Sequence, residues 1–334
     1  MESKGGGMKR TRSLFLVVLA SSLQFVVGMN SGFCQDYPNK SIRLVVPFAT
    51  GGANDVLGRL IGKELAERWR QPVVIDNRPG GGGNIGTGLV AKAPPDGYTI
   101  VFVPTSFGSN QSLYAKLSYD TLRDFAGVCW VATGSGVLAV HPSLATDSVK
   151  DLVALAKLKP GQFNYASSGV GSSPHLRGEL LKKATGIDIV HVTYKGTSPA
   201  LMDLIAGRVS LAFTDLFQVV PYAKAGKLKI LGVIGERRSP DLPDVPTMTE
   251  AGVPGFETGQ WFGILAPAAT PREIIRKLNT EIVKALQTPD MKERMSKLGL
   301  DPVGGTPEEF DAHIKAEVEK WAKVIKGAGI VLTD

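Results

Sequence analysis

From Ile42 onward, short runs of β-branched and apolar residues alternate with stretches whose apolar positions recur every three or four residues. IRLVVP is followed by NDVLGRLIGKELAERW, VVIDN by NIGTGLVAKA, and YTIVFVP ends this first series. Strand-length apolar runs separated by helix-length amphipathic ones predict βαβ units and a mostly parallel sheet. After Ser106 the regularity loosens, and SYDTLRDFAGVCWVATGSGVLAVHP reads as a strand passing out of that sheet. A second series then needs a sheet of its own: helix DLVALAKL, strand FNYAS, helix PHLRGELLKKA, strand IDIVHVTY, helix PALMDLIAG, strand SLAFTD, helix VVPYAKAG and strand LKILGVIG.

Beyond the Pro- and Gly-rich RRSPDLPDVPTMTEAGVPGFE, QWFGILAP returns as one apolar strand. Three helices close the chain, PREIIRKLNTEIVKALQ, PDMKERMSKLG and PEEFDAHIKAEVEKWAKVIKGAG, each with proline near its first turn and an acid close behind. They have no strands of their own, so they are expected to pack back on the first domain. The chain thus leaves domain one near Ser135 and returns near Thr258. The expected division is 36–135 plus 258–334 for a discontinuous first domain and 136–257 for the second. Two crossovers make a hinge, which places a ligand between the domains, beyond the carboxyl ends of strands. A length of 334 residues agrees with about two domains.

The first 34 residues stand outside this pattern. Lys4, Lys9, Arg10 and Arg12 precede the apolar run Leu14–Met29, the order of a secretory signal peptide. The run falls short of the roughly 20 residues of a membrane-spanning helix, which leaves an uncleaved anchor as the weaker reading. Gly32 and Cys34 occupy the positions a signal peptidase inspects, so cleavage is expected after Cys34, and bulky Phe33 opposes lipidation. Export leaves one cysteine, Cys129, in an apolar stretch, and no disulfide framework. Four of the 38 basic and one of the 31 acidic residues lie before Gln35, so the net charge falls from +7 to +4. The basic residues form no run interleaved with aromatics, and nucleic-acid binding has no support.

Candidate chemistry gathers in three loops. In PFATGGAND, Gly51 and Gly52 let backbone approach a ligand, and the amides of the following helix start favour an anion. In NYASSGVGSSPHLRGEL, Ser167, Ser168, Gly169, Gly171 and Ser172 lead to Ser173 and Pro174, which read as an N-cap and a first-turn proline. KGTSPAL repeats the arrangement, with Ser198 as cap and Pro199 behind it. A serine nucleophile would want the elbow G-x-S-x-G, but residues 171–174 read GSSP and lack the second glycine. GGGNIG at 81–86 matches a dinucleotide fingerprint in letters only, because Asn77, Arg78 and Pro79 separate it from its strand. These glycines are expected to serve loop and helix packing. His141, His175, His191 and His313 with one cysteine have no metal-ligand spacing. Asp215, ending SLAFTD, stands where it would meet a ligand donor or cap a helix.

Taken in order, YPNKSIRLVVPFATGGANDVLGRLIGKEL, VVIDNRPGGGGNIGTGLVAKAPPDGYTI, NYASSGVGSSPHLRGELLKKATGIDIVHVTYKGTSPALMDLIAGRVSLAF, DLPDVPTMTEAGVPGFE and WFGILAPAATP resemble the Bug (TctC-like) family over nearly the whole mature length. These are extracytoplasmic solute receptors of tripartite tricarboxylate transporters. The resemblance implies an α/β fold like the type II periplasmic binding proteins, two domains closing on a small organic carboxylate in the periplasm. It implies a monomer that works with membrane permease subunits, with no cofactor, metal or catalytic residue. On one side Phe48, Ala49, Thr50, Gly51, Gly52 and Asp55 would hold a ligand carboxylate. On the other would stand Ser168, Gly169, Gly171, Ser172, Ser173 and His175, with ordered waters and little use of positive side chains. Thr105, Ser106, Gly196, Thr197 and Asp215 would reach the variable end of the ligand. The same cleft would equally serve a periplasmic sensing partner of a signalling system. His175 stays open between ligand contact, cap and bystander.

Overall fold

The computed structural model describes residues 37–257 and 259–330. The signal peptide expected at residues 1–34, the cut expected after Cys34 and the expected return point at Thr258 lie outside the described residues. A compact unit begins at Lys40, and it contains two β-sheets with helices on both faces.

The first sheet is built on β1 (Ile42–Val46), β2 (Val73–Asn77), β3 (Thr99–Pro104) and β4 (Phe125–Gly134). Between them lie helices α1 (Ala53–Trp69), α2 (Asn84–Ala91) and α3 (Ser106–Leu113). The chain then passes through Ser135 alone into β5 (Gly136–Val140) of the second sheet. That sheet continues through α4 (Val149–Leu158), β6 (Asn164–Ser167), α5 (Ser173–Thr185), β7 (Val190–Thr193), α6 (Thr197–Ile205), β8 (Leu211–Asp215), α7 (Leu216–Lys224) and β9 (Lys229–Ile234). The chain comes back as β10 (Gln260–Pro267), then α8 (Arg272–Leu286), α9 (Pro289–Lys297), β11 (Leu300–Gly304) and α10 (Pro307–Ala328). Strand orders are β11-β4-β10-β3-β1-β2 and β7-β6-β8-β5-β9.

Neither sheet is mostly parallel, contrary to the expectation from the βαβ pattern. β1 runs parallel to β2 and β3, but β10 is antiparallel to both β3 and β4. In the second sheet β6 is parallel to β7 and β8, while β5 opposes β8 and β9. The reason is the crossover: β4 carries the chain out of the first sheet and β10 carries it back, so the two must run in opposite directions. A further difference is β11, a strand within the C-terminal part expected to be wholly helical. LDPVG pairs only with β4 at the sheet edge, where Pro302 removes no needed hydrogen bond. Helix α3 also escapes sequence patterning, because SFGSNQSL has no apolar stripe. Its buried polar face is held by hydrogen bonds: Asn110 Nδ2 donates to Asn84 Oδ1 of α2 (2.6 Å), and Ser109 Oγ to the Ser106 carbonyl (3.0 Å).

Both lobes have full cores. In the first, Val45, Val101, Phe107, Phe125, Trp261 and Phe310 pack together, and Tyr119 meets Phe125 edge-on at 5.4 Å. Helix α10, opened by a Thr306–Glu309 capping box, supplies Phe310. In the second, Leu138, Tyr165, Leu181, Leu211 and Phe213 fill one face of the sheet, and Ala166, Leu201, Leu204 and Val233 the other. Strands covered on both sides account for their near-continuous apolar runs. Leu176 of α5 joins Leu113, Trp321 and Ile325 of the first lobe in a shared apolar cluster.

Candidate functional site

The loop after β1 is braced from behind. Gly51 takes φ 83°, which a side chain would strain, and its N–H donates to Asp55 Oδ2 at 2.9 Å. Asn77 Nδ2 donates both to Asp55 Oδ1 (3.0 Å) and to the Phe48 carbonyl (3.0 Å), and Arg59 Nε reaches Asp55 at 3.0 Å. Burial pushes the Asp55 carboxyl up, but the bonds from Arg59, Gly51 and Asn77 outweigh it and hold the group below the ordinary carboxylate range. Asp55 therefore shapes the loop, and its oxygens are turned to these partners.

The loop after β6 is folded on itself. Gly169 and Gly171 have φ of 138° and 75°. Ser172 Oγ donates to the Gly169 carbonyl (2.6 Å), as does Ser167 Oγ (3.1 Å). The Gly171 N–H donates to His175 Nδ1 at 3.0 Å, which leaves that nitrogen unprotonated. The His175 ring lies 4.0 Å from that of His191, whose Nε2 is 2.6 Å from Ser167 Oγ. His175 is thus a brace for the loop backbone. Ser172, the candidate nucleophile, is 1% exposed and bonded to a carbonyl; it has no histidine to activate it.

This stacked pair carries a pH dependence. Burial, then the neighbouring His175, lowers the His191 pKa from 6.5 to about 4, and burial lowers that of His175 in the same direction. The unfolded chain binds these protons first as pH falls, so stability is full above about 6.5 and declines through about 4. We expect the melting temperature to fall over that window in wild type and to fall less in His191→Asn; an equal slope in both would remove the pair as its cause.

Two expected caps are not caps. Helix α5 starts one residue earlier than the Ser-Pro pair suggested, with Ser172 at the N-cap, and α6 starts from Gly196. Ser173 and Ser198 fall inside the first turns, and their Oγ atoms are buried without a hydrogen-bond partner. An added β-carbon on Gly51 would lie 3.0 Å from Ser198 Oγ, and one on Gly52 2.8 Å from Thr197 Oγ1. The loops of the two lobes therefore meet. The Ala49 N–H donates to the Lys195 carbonyl (3.1 Å) and Gln218 Nε2 to the Gly51 carbonyl (3.1 Å), both across the cleft.

Between them is a cavity of about 40 Å³. Of the residues singled out from sequence, Phe48, Gly52, Ser106, Ser168, Ser173, Thr197 and Asp215 line it. Ala49, Thr50, Gly51, Gly169, Gly171, Ser172 and Gly196 form the loops behind. Thr105 Oγ1 is occupied as acceptor of the Trp261 N–H at 2.8 Å. Sequence reading missed Ala53, Asn54, Pro104, Thr214, Gln260 and Phe262, which with Pro174 complete the wall. Asn54 had a signal, a polar residue in the first turn after Gly-Gly; Gln260 and Phe262 arrive on β10 and had none.

Helices α1, α5, α6 and α7 all begin at this wall, with N-caps Gly52, Ser172, Gly196 and Asp215, and none has a side-chain cap bond. Away from the cavity, Ser148, Thr288 and Thr306 do cap their helices. First turns without a side-chain cap present amides and positive dipole ends, which suit an anion; in α7 the first amide, that of Leu216, already donates to the Ser135 carbonyl at 3.3 Å. Asp215 lines the cavity as a carboxyl pushed up to about 6 by burial, with Gln260 and Arg177 pulling it back down.

The tripartite tricarboxylate transporter family receptor pattern matches residues 57–330. Protein BugT of Bordetella pertussis is 37% identical over 298 residues, covering 89% of this chain and 91% of that protein. The R. palustris protein Rpa4515, solved with adipate, is 41% identical with a TM-score of 0.84, over 89% and 99% of the two chains. MatC from Rhodopseudomonas palustris, solved with bound malate, is 32% identical with a TM-score of 0.83, over 86% and 100%. With its two α/β lobes, double crossover and inter-lobe cleft, this chain belongs to the receptor family of the tripartite tricarboxylate transporters.

Proposed function

We propose that the protein is a periplasmic receptor that encloses a small organic carboxylate by hinge closure and delivers it to a tripartite tricarboxylate transporter permease. It acts as a monomer and performs no chemistry; its hinge joins 36–135 plus 258–334 to 136–257. The observation that carries the reading is the convergence of four uncapped helix starts and the unpartnered Ser173 hydroxyl on one cavity, with the unpartnered Ser198 hydroxyl packed against the adjoining Gly51 loop. Neutral donors suffice, since a micromolar ligand needs about 8 kcal/mol of binding free energy and each hydrogen bond contributes about 1. The adipate and malate held by the two relatives are of the proposed class.

A thermal-shift screen of mono-, di- and tricarboxylates, sugars and cations tests the reading. A ligand at about 100 times its Kd adds about 2.7 kcal/mol to stability. If no carboxylate raises the melting temperature and a sugar or cation does, the reading is wrong. Ser173→Ala and Ser198→Ala should each weaken the carboxylate roughly five- to tenfold, one hydrogen bond apiece. Neither should change the melting temperature of the unliganded protein, because neither hydroxyl has a protein partner to lose. Unchanged affinity in both would take these hydroxyls out of the site.

A further inference from the structure

Among the described residues lining the cavity, Asp215 is the only ionisable one. A site built to attract an anion thus encloses a carboxyl group of its own, and two negative charges in one small closed space repel with little water to screen them. The compensating charge is one turn along α5 from Ser173, on the same helix face. Arg177 is 4% exposed, and its Nη1 has no hydrogen-bond partner. A β-carbon on Gly136 would lie 2.8 Å from that Nη1 and 2.9 Å from Gln260 Nε2, so the guanidinium and this cavity-lining amide flank the same backbone. Gly136 is in turn the strand partner of Asp215. Arg177, Gln260 and Asp215 are therefore gathered at the hinge, where β5 and β10 begin. The charge that acts on Arg177 is Asp215, and burial brings the guanidinium down to about 10, still cationic at neutral pH.

We propose that Arg177 is a positioning residue that sets ligand specificity through Asp215: its charge lets a cavity carboxylate and an anionic ligand be enclosed together, reserving the hinge end for a hydrogen-bond donor on the ligand. This rests on the carboxylate-receptor reading. The ligand is then a carboxylate that also carries a hydroxyl or an ammonium, set to donate to Asp215.

Calorimetric titration of the mature protein with succinate, malate and aspartate tests this, since the three share a four-carbon dicarboxylate frame and differ in that donor. Wild type should prefer malate or aspartate to succinate by roughly tenfold, the discrimination of one hydrogen bond to a charged group, and which of the two is favoured identifies the donor. Asp215→Asn should erase the preference and bind succinate more tightly, because it leaves Arg177 unbalanced. Arg177→Met should weaken all three ligands by about tenfold or more, Arg177→Lys should keep most of the affinity, and Arg177→Met/Asp215→Asn should recover succinate binding, the signature of a coupled pair. A loss that is equal in Arg177→Met and Arg177→Lys and is not rescued by Asp215→Asn makes the arginine merely structural and overturns the inference. If Arg177→Met does not fold, the Asp215→Asn arm decides: an undiminished preference for malate or aspartate, or weaker succinate binding, overturns it. If wild type binds no carboxylate at all, the receptor reading fails first and takes this inference with it.

Discussion

Gly82→Val abolishes tight ligand binding while leaving both lobes folded: this is the largest functional effect expected of a single substitution. Gly82 lies in the 3-10 turn Gly81–Gly83 of the first lobe at φ 62°. A β-carbon there would be 2.2 Å from the Val170 carbonyl oxygen and 3.1 Å from the Ser172 nitrogen, both in the second lobe. A β-carbon on the opposing Gly169 would in turn lie 3.0 Å from the Gly82 nitrogen. Tyr114 seals the contact by donating its hydroxyl to the Val170 carbonyl. A valine cannot be accommodated by side-chain rotation, because the clash is with backbone, so the lobes must stay apart. Ligand held by one lobe alone loses the donors of the other, and we expect affinity to fall on the order of a hundredfold, as for two to three lost hydrogen bonds. The left-handed backbone adds about 1–2 kcal/mol of strain, so the melting curve should shift by a few degrees yet remain cooperative. Titration calorimetry and small-angle scattering check this together; a variant that binds as wild type and compacts on saturation removes this contact from closure.

Phe310→Ala is expected to produce the largest loss of stability. The ring is fully buried and its neighbour in β10 is Gly263, where a β-carbon would lie 2.0 Å from Phe310 Cζ. Trp261 meets the ring edge-on at 5.8 Å. The glycine opens a slot in the sheet and the phenylalanine of α10 fills it, so truncation leaves a cavity that the rigid sheet cannot collapse. The cost of such a change is about 3–5 kcal/mol, or roughly 5–8 °C in melting temperature for a chain of this size. A calorimetric shift under about 2 °C would mean that α10 is not what holds the first sheet.

The two predictions show how unevenly the molecule was legible. GGGNIG was readable as packing glycines and not as a nucleotide loop, but nothing local said that the surface against it would be the other lobe. The return of QWFGILAP to the first sheet was legible as one apolar strand after a Pro- and Gly-rich connection. Its antiparallel direction, and the supply of Gln260 and Phe262 to the cavity, were not. The Ser-Pro helix starts were placed within one or two residues of the truth, and that small offset reversed the chemistry: a cap's hydroxyl is occupied, whereas those of Ser173 and Ser198 are free.

By itself the sequence determined the order of elements, the passage between two sheets, and which loops carry small donors. Those properties follow from periodicity and turn chemistry, which act over a few residues. Only the tertiary structure decided which of those donors stay unpaired, that Asp55 and His175 brace loops, and that Arg177 is buried near Asp215. Each of these depends on which groups meet across the fold, and burial, not residue type, sets whether a hydroxyl is satisfied or a charge must be balanced.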